Sequence, residues 1–428
     1  MSWPEPVVCV QSLAESGIRT IPVRYVKPPC QRPGGAAMES VEVQRNIPVV
    51  DMAKLESAAA VRDMAEACRE WGFFHVINHG ISGEVMECVK ESWKQFFDQP
   101  LDLKKQYANS PMTYEGYGSR LGIEKGAILD WSDYFFLNYM PTSLRNPAMW
   151  PAFPPSTKKL IEEYGNEVVK LCGKLMKRLS VGLGLKEEYL LNAFGGEEGI
   201  GACMRANMYP KCPQPDLTLG LSPHSDPGGM TILLPDHNVP GLQVHKGDHW
   251  ITIDPIPNAL IVNIGDQIQV LSNAIYKSVK HRVIVNSNKD RVSLAFFYNP
   301  KSDLIIEPAK ELVTGEGQCP EAAAAGGGAK MTSEQLAEIS RCYLYALSVV
   351  PPFADVAANP ELVCTVIFTT ATTEGFAMFI DILLAQEAPV EPLLLEEPLP
   401  GAATAIVFEN FLDGFGSGGG HFHGGMEI

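Results

Sequence analysis

From about Ala202 the chain abandons helical periodicity for apolar and polar side chains alternating at a period of two. Turn-forming residues break this alternation at Pro210 to Pro215, at Pro227-Gly228-Gly229 and at Asn286 to Asp290, over a segment of roughly 100 residues. Such a pattern cannot be buried as a helix bundle, because each side chain would fall on the wrong face. It must form sheets, and many short strands joined by tight turns suit a double-sheet jelly roll that can enclose a small ligand.

The residues before this segment read differently. Helical spacing runs from Leu55 to Trp71, from Gly83 to Phe97 and from Ser156 to Leu183, with Ser156 or Thr157 expected as the N-cap of the last. Between the first two, Gly72 to Gly80 reads as a short buried strand closed by a turn. The expected fold class is therefore α+β, mainly β: a double-stranded β-helix (jelly-roll) core braced by N-terminal helices, with an atypical low-complexity C-terminal tail. The expected divisions are residues 1–45, an N-terminal arm with a linker at Pro28 to Gly35; 46–195, a helical region; 196–313, the jelly roll; and 314–428, a largely disordered tail. Within that tail Glu321 to Lys330 is Ala/Gly-rich, Glu387 to Pro400 is acidic and proline-rich, and Gly414 to Gly425 is a Gly/His run. The semi-apolar stretch Leu362 to Ala385 is interrupted by Glu374 and Asp381, too polar to span a membrane.

Composition excludes several classes of partner. A formal net charge of −16 repels phosphate backbones and anionic lipid, so neither nucleic acid nor a membrane is expected, and no protein partner is inferred. The ten cysteines lie singly with no CxxC pair, and Pro4, Glu5 and Glu15 interrupt any signal-like apolar stretch. Both features point to reduced thiols in a cytoplasmic protein.

The chemistry-bearing run is Leu221-Ser222-Pro223-His224-Ser225-Asp226, followed roughly 55 residues later by Lys280-His281-Arg282. On a strand, residues two apart share a face, so His224 and Asp226 are expected to project together into the sheet interior. His281, in phase with Val279, Val283 and Val285, supplies a third ligand from a neighbouring strand. Two imidazoles and a carboxylate are the facial donor set of non-haem iron(II), which leaves positions open for a co-substrate and O2. By chance alone a His-x-Asp pair turns up about 0.4 times in such a chain, so the later His and an Arg-x-Ser pair beyond it carry the weight.

That Arg-x-Ser is Arg291-Val292-Ser293, opening a strand on which Arg291, Ser293, Ala295 and Phe297 share one face. An inward guanidinium beside a hydroxyl suits the distal carboxylate of a dicarboxylate, whereas an arginine standing alone is as often paired with an acid. Arg205, Asn207 and Tyr209 likewise alternate onto one strand face, which is costly unless solvent or a ligand satisfies them. Arg205 could meet an acidic substrate. His75 and His79 flank an apolar strand and read as hydrogen-bonded core or turn residues, His421 and His423 as solvated coil, and Asp236, His237, Asp248 and His249 as hairpin-loop residues.

Several of these runs occur together in one family. WGFFHVINHGI from Trp71, Tyr209-Pro210-Lys211-Cys212-Pro213, LSPHSDPGGMTILLPD from Leu221, GLQV from Gly241, NIGDQIQVLSN from Asn263 and RVSLAFFYNP from Arg291 resemble plant 2-oxoglutarate/Fe(II)-dependent dioxygenases, in particular the jasmonate-induced oxygenases. The resemblance covers about residues 5 to 313. It implies a distorted jelly-roll core, Fe(II) held by His224, Asp226 and His281, and 2-oxoglutarate contacted by Asn207, Tyr209, Arg291 and Ser293, with O2 as second co-substrate and Arg205 meeting a jasmonate carboxylate. Family members continue into a short helix whose aromatic residue and arginine complete the substrate pocket. Met331 to Tyr343 only faintly echoes that helix, and no residue is carried over from it. Hydroxylation of a small carboxylic acid is thus expected, with a flavonoid-type oxidation or a catalytically silent binding protein as alternatives. Arg205 separates the first two, since a polyphenol offers it no carboxylate.

Overall fold

The period-two segment folds as strands. In a computed structural model the described residues are 7–33, 46–110, 114–119, 126–301, 304–313 and 331–332, all within the unit Met1–Val349. The expectations placed on the tail, apart from Met331 and Thr332, lie outside them. The strands are β1 (Val49–Asp51), β2 (Phe73–Ile77), β3 (Gly116–Gly118), β4 (Asp133–Met140), β5 (Gly201–Tyr209), β6 (Leu221–His224), β7 (Met230–Leu234), β8 (Leu242–Lys246), β9 (His249–Thr252), β10 (Leu260–Ile264), β11 (His281–Val283), β12 (Arg291–Asn299), β13 (Ile305–Ile306) and β14 (Met331–Thr332). Eight of them form a major sheet in the order β1-β2-β10-β7-β12-β5-β4-β3, and four a minor sheet in the order β6-β11-β8-β9. This is the double-sheet arrangement that the alternation demanded. The strand expected over Gly72 to Gly80 is β2, which pairs parallel to β1 and antiparallel to β10.

Each central strand of the major sheet is two-faced. On β12, Val292, Leu294, Phe296 and Tyr298 are buried in the main apolar core, while Arg291, Ser293, Ala295 and Phe297 line a cavity on the opposite face. β5 repeats the division, with Met204, Ala206 and Met208 on the core side and Arg205, Asn207 and Tyr209 on the cavity side. Pairing of Arg291 with Tyr209, Ser293 with Asn207 and Ala295 with Arg205 sets those polar side chains next to one another across the ladder.

Helices cover the core face. Among the described helices are α1 (Val10–Glu15), α2 (Ala58–Glu70), α3 (Gly83–Phe97), α4 (Leu101–Lys104) and α5 (Thr157–Gly182), of which α2, α3 and α5 bury side chains in the main core. α5 buries Ile161, Tyr164, Val168, Leu171, Leu175 and Leu179, the stripe expected from its spacing. Ser57 Oγ accepts from the Ala60 N–H and Ser82 Oγ from the Glu84 N–H, capping α2 and α3. The cap expected for α5 is not made. Ser156 precedes the helix with helical dihedrals and no side-chain cap bond, and Thr157 Oγ1 is instead 2.6 Å from Ser92 Oγ, tying α5 to α3. No helix among the described residues is long and apolar enough to cross a membrane.

The N-terminal arm is docked on the sheets. The carboxylate of the buried Asp133 accepts from the Val10 and Gln11 N–H groups at the start of α1. Val10, Ile21 and Tyr25 then pack in a second apolar cluster with Leu129, Trp131, Tyr209, Val283 and Val285, two of which, Tyr209 and Val283, also line the cavity. Leu294 points to the helices and is fully buried, so Leu294→Ala should lower the unfolding free energy by about 2–5 kcal/mol. Denaturant unfolding checks the loss, and metal affinity measured beside it should not change, because the side chain lies on the other face from the cavity.

Candidate metal centre

The cavity between the sheets gathers three side chains with unshared donor atoms. The ligand atoms of His224, Asp226 and His281 all lie within 4.8 Å of one another. Asp226 Oδ1 stands 3.5 Å from His224 Nε2 and 3.7 Å from His281 Nε2. His224 pairs with His281 across β6 and β11, which is why the two rings lie 4.2 Å apart. Asp226 departs from the expected placement. It does not share a strand with His224, because β6 ends at His224 and the chain crosses from the minor to the major sheet through Ser225 to Gly229. The crossover is held by the Asp226 carbonyl accepting from the Asp266 N–H, and glycine is needed at 265 because a Cβ there would meet the Gly228 carbonyl.

Every other polar side-chain atom of the trio is committed. Asp226 Oδ2 accepts from Thr231 Oγ1 at 2.5 Å and from Asn263 Nδ2 at 2.7 Å, which leaves Oδ1 facing the imidazoles. His224 Nδ1 lies 2.9 Å from the Ser222 carbonyl and His281 Nδ1 3.3 Å from the Val279 carbonyl, so each Nδ1 is the donor and each Nε2 keeps its lone pair. Phe73 sets its ring edge-on to His281 at 5.2 Å and fills the space beside it. Thr231 and Asn263 were not singled out from the sequence. Their only signal is a polar side chain in the cavity phase of an otherwise apolar strand.

The charges differ sharply between the three groups. Burial would lower His224, but its hydrogen bond to Asp226 and that carboxylate's charge outweigh it and raise the pKa. His281, desolvated and beside His224, is pushed down to about 4. Burial would raise Asp226, yet His281 and His224 hold its carboxyl well below the usual carboxylate range.

On the same cavity wall sits a buried cation. Arg291 is 3% exposed, and its guanidinium donates to the Val239 carbonyl at 3.2 Å and to Ser293 Oγ at 3.4 Å, neither of them an anion. It lies 5.1 Å from the centre of the Tyr209 ring. The alternative that the Arg205, Asn207 and Tyr209 face is solvated does not hold for Asn207 and Tyr209, which are buried. Arg205 is half-buried, stacks on Tyr134 at 4.4 Å and leaves its Nε without a hydrogen-bond partner.

Comparison with known proteins places this arrangement. Residues 200–300 match the 2OG-Fe(II) oxygenase superfamily, and residues 47–153 match the N-terminal family described from a non-haem dioxygenase in morphine synthesis. Jasmonate-induced oxygenase 2 of Arabidopsis thaliana is 59% identical over 318 residues, which cover 73% of this chain and 85% of that protein. The chain belongs to the 2OG-Fe(II) oxygenase superfamily. Jasmonate-induced oxygenase 1 of the same plant is 60% identical over 316 residues, covering 73% of this chain and 79% of the relative. A crystal structure of JOX2 in complex with 2OG, Fe and JA superposes with a TM-score of 0.72 at 56% identity, covering 80% of this chain and 95% of that one.

The donor set fits the iron of this superfamily on its own chemistry, two neutral imidazole nitrogens and one carboxylate oxygen with their outer atoms already bonded. His75 and His79 behave as expected, His75 Nε2 meeting Asn46 Oδ1 and His79 bonding the Asn258 carbonyl and the Ile81 N–H, whereas His249, expected in a hairpin loop, opens β9. His421 and His423 lie outside the described residues.

A proton competes with a metal for each Nε2 lone pair, and here it competes at His224, whose pKa is raised by Asp226, before it competes at His281, which is pushed down to about 4. Divalent-ion affinity should therefore fall about tenfold per pH unit below the reference histidine pKa of ~6.5, steepening towards a hundredfold per unit only near pH 4. Calorimetric titration with Co(II) at stepped pH checks the slope. Affinity that does not fall between neutral and mildly acidic pH would contradict histidine ligation.

Proposed function

We propose that this chain hydroxylates a small carboxylic acid of the jasmonate class, with Fe(II) held by His224, Asp226 and His281. The single observation that carries the substrate class is Arg205, a guanidinium in the same cavity with an unsatisfied buried Nε. Its stacking on Tyr134 orients the group without supplying an anion. A carboxylate is the ligand that would use both the charge and the free donor. The complex of JOX2 with JA, at 56% identity, supports the same reading.

Within this proposal Arg291 and Ser293 take the distal carboxylate of 2-oxoglutarate, with Tyr209 and Asn207 bordering it. The groups Arg291 hydrogen-bonds are uncharged, and burial lowers its pKa although Tyr209 and the Asp236 carboxylate oppose that, so a bound carboxylate would complete its pairing. Bound iron supplies the oxidative decarboxylation of 2-oxoglutarate by O2 to succinate and CO2, and the delivery of one oxygen atom into a substrate C–H bond. The chain's own contribution is positioning and exclusion of water. Asp226 is fixed by Thr231 and Asn263, the co-substrate is clamped at the far end, and the apolar walls Phe73, Leu233, Ala295 and Phe297 shed water around the reacting carbon. We also infer a reducing compartment, the cytoplasm, supported by Cys68, Cys172 and Cys212 being buried as unreactive thiols.

Arg291→Leu should weaken 2-oxoglutarate by two to four decades, about 3–5 kcal/mol, since a carboxylate would be left in a buried site without its partner. An unchanged 2-oxoglutarate affinity in anaerobic binding assays refutes that role. Arg205→Ala should cost about ten- to a hundredfold in kcat/KM for jasmonic acid, one charge-assisted hydrogen bond, and much less for its methyl ester. Turnover of the free acid at the unsubstituted rate would refute Arg205 as the partner of its carboxylate and remove the main support that Arg205 gives to an acid over a polyphenol.

A further inference from the structure

Of the two histidines, His224 is the less secured by its own sheet. It is the last residue of β6, β6 is an edge strand of the minor sheet, and its ladder to β11 carries a register irregularity between its two paired positions, His281 with His224 and Val283 with Leu221. An edge strand with a broken ladder does not by itself hold an imidazole to the accuracy that metal binding needs. What compensates lies two residues upstream. Ser222, whose carbonyl accepts from His224 Nδ1 at 2.9 Å, is gripped by one carboxylate through both its backbone and its side chain. Its N–H donates to Asp130 Oδ2 at 3.0 Å and its hydroxyl to Asp130 Oδ1 at 2.6 Å.

That carboxylate is in turn held from the N-terminal arm. Lys27 Nζ lies 2.8 Å from Asp130 Oδ1 and 2.9 Å from Ser222 Oγ, and its side chain is only 3% exposed. With Lys27 buried and the Asp130 side chain 24% exposed, removing one partner costs more than at a fully exposed pair, because it leaves the other charge poorly solvated. The arm is also anchored locally by the Lys27 N–H donating to the Leu217 carbonyl and the Arg24 carbonyl accepting from the Leu129 N–H. Lys27 thus completes a chain of contacts, Lys27 to Asp130 to Ser222 to His224, that links three segments far apart in sequence.

We propose that Lys27, acting with Asp130, is a positioning residue for the metal centre, clamping Ser222 so that its carbonyl fixes the ring of His224. The N-terminal arm is then part of the metal site's scaffold and not only a cover over it. This rests on His224 being a ligand, as proposed above. Losing an outer partner of a ligating histidine weakens metal binding by roughly ten- to a hundredfold, and releasing the clamp on Ser222, one contact further out, is expected to cost the lower end of that range.

Co(II) binding to the full chain tests it, followed by calorimetry and by the visible d–d absorption that reports ligand geometry. Lys27→Met keeps the stem and removes the charge. It should bind Co(II) at least tenfold more weakly with a shifted visible spectrum, and Lys27→Arg should restore both. Ile21→Ala, which loosens the same arm's apolar packing without touching the contact chain, should lower the melting temperature and leave Co(II) affinity within twofold. Should Lys27→Met fail to fold, Ser222→Ala, which removes only the hydroxyl shared by Lys27 and Asp130, should weaken Co(II) about threefold or more. Wild-type Co(II) affinity and spectrum in the soluble variant of this pair, or an equal loss in Ile21→Ala, overturns the proposal. His224→Ala serves as the reference. If it too binds like wild type, the ligand assignment has failed, whereas loss in His224→Ala with none in Lys27→Met sinks the positioning role alone.

Discussion

One buried carboxylate sets the terms for the interior of this fold. Asp226 is 5% exposed, yet its surroundings hold it ionised, with two donors on one oxygen and two imidazole nitrogens facing the other. A lone carboxylate in that position would be protonated or expelled, because desolvation costs several kcal/mol that only converging positive or donor groups offset. Thr231 on β7 and Asn263 on β10 are paired with each other across the ladder, so the two donors to Oδ2 come from neighbouring strands at one level of the sheet. A metal ion on the other side completes the same compensation. The rigidity that keeps Asp226 charged without a metal is also what would present Oδ1 to one.

The two-faced major sheet makes that interior possible. Leu294, Phe296 and their neighbours bury apolar area against α3 and α5, and this side supplies the main hydrophobic stabilisation. The opposite face is thereby released from providing stability and can carry Arg205, Asn207, Thr231, Asn263, Arg291 and Ser293 around a cavity. The same separation explains why Leu294 and Arg291, three residues apart on β12, are expected to fail in different assays when changed. Strand pleating alone, with side chains alternating at every residue, divides stability from chemistry.

Much of this was legible from the sequence because pleating is legible. The period-two phase correctly set Arg291 with Ser293 and Ala295, and Arg205 with Asn207 and Tyr209, on cavity-facing sides, and the helical spacing of Ser156 to Leu183 anticipated α5 nearly to its ends. Where phase was extended past the end of a strand it misled: Asp226 reaches the same interior as His224 through a crossover loop, not through strand alternation. The expected cap at Ser156 failed for a similar reason, since a tertiary hydroxyl contact between Thr157 and Ser92 replaced the local bond. What periodicity never encodes is which strands become neighbours. Thr231 beside Asn263, and Lys27 beside Asp130 and Ser222, are meetings between segments from tens of residues to nearly two hundred residues apart, each ordinary in its own stretch of chain.

The electrostatics of the whole chain oppose those of its cavity, and the opposition bears on selectivity. With a net charge of −16, the surface field slows the approach of any anion, although at physiological salt that field decays over about 8 Å. Discrimination in favour of acids therefore falls to contacts made after entry, where water is excluded and screening is weak. Arg291 and Arg205 are prepared for that in different ways. Arg291 is desolvated and held by a carbonyl and a hydroxyl, so it gains most from a ligand that stays fully buried. Arg205 rests on the Tyr134 ring, which orients a guanidinium without neutralising it or consuming its donors. A carboxylate counter-ion in place of that ring would have held Arg205 equally still and left it nothing to offer a substrate.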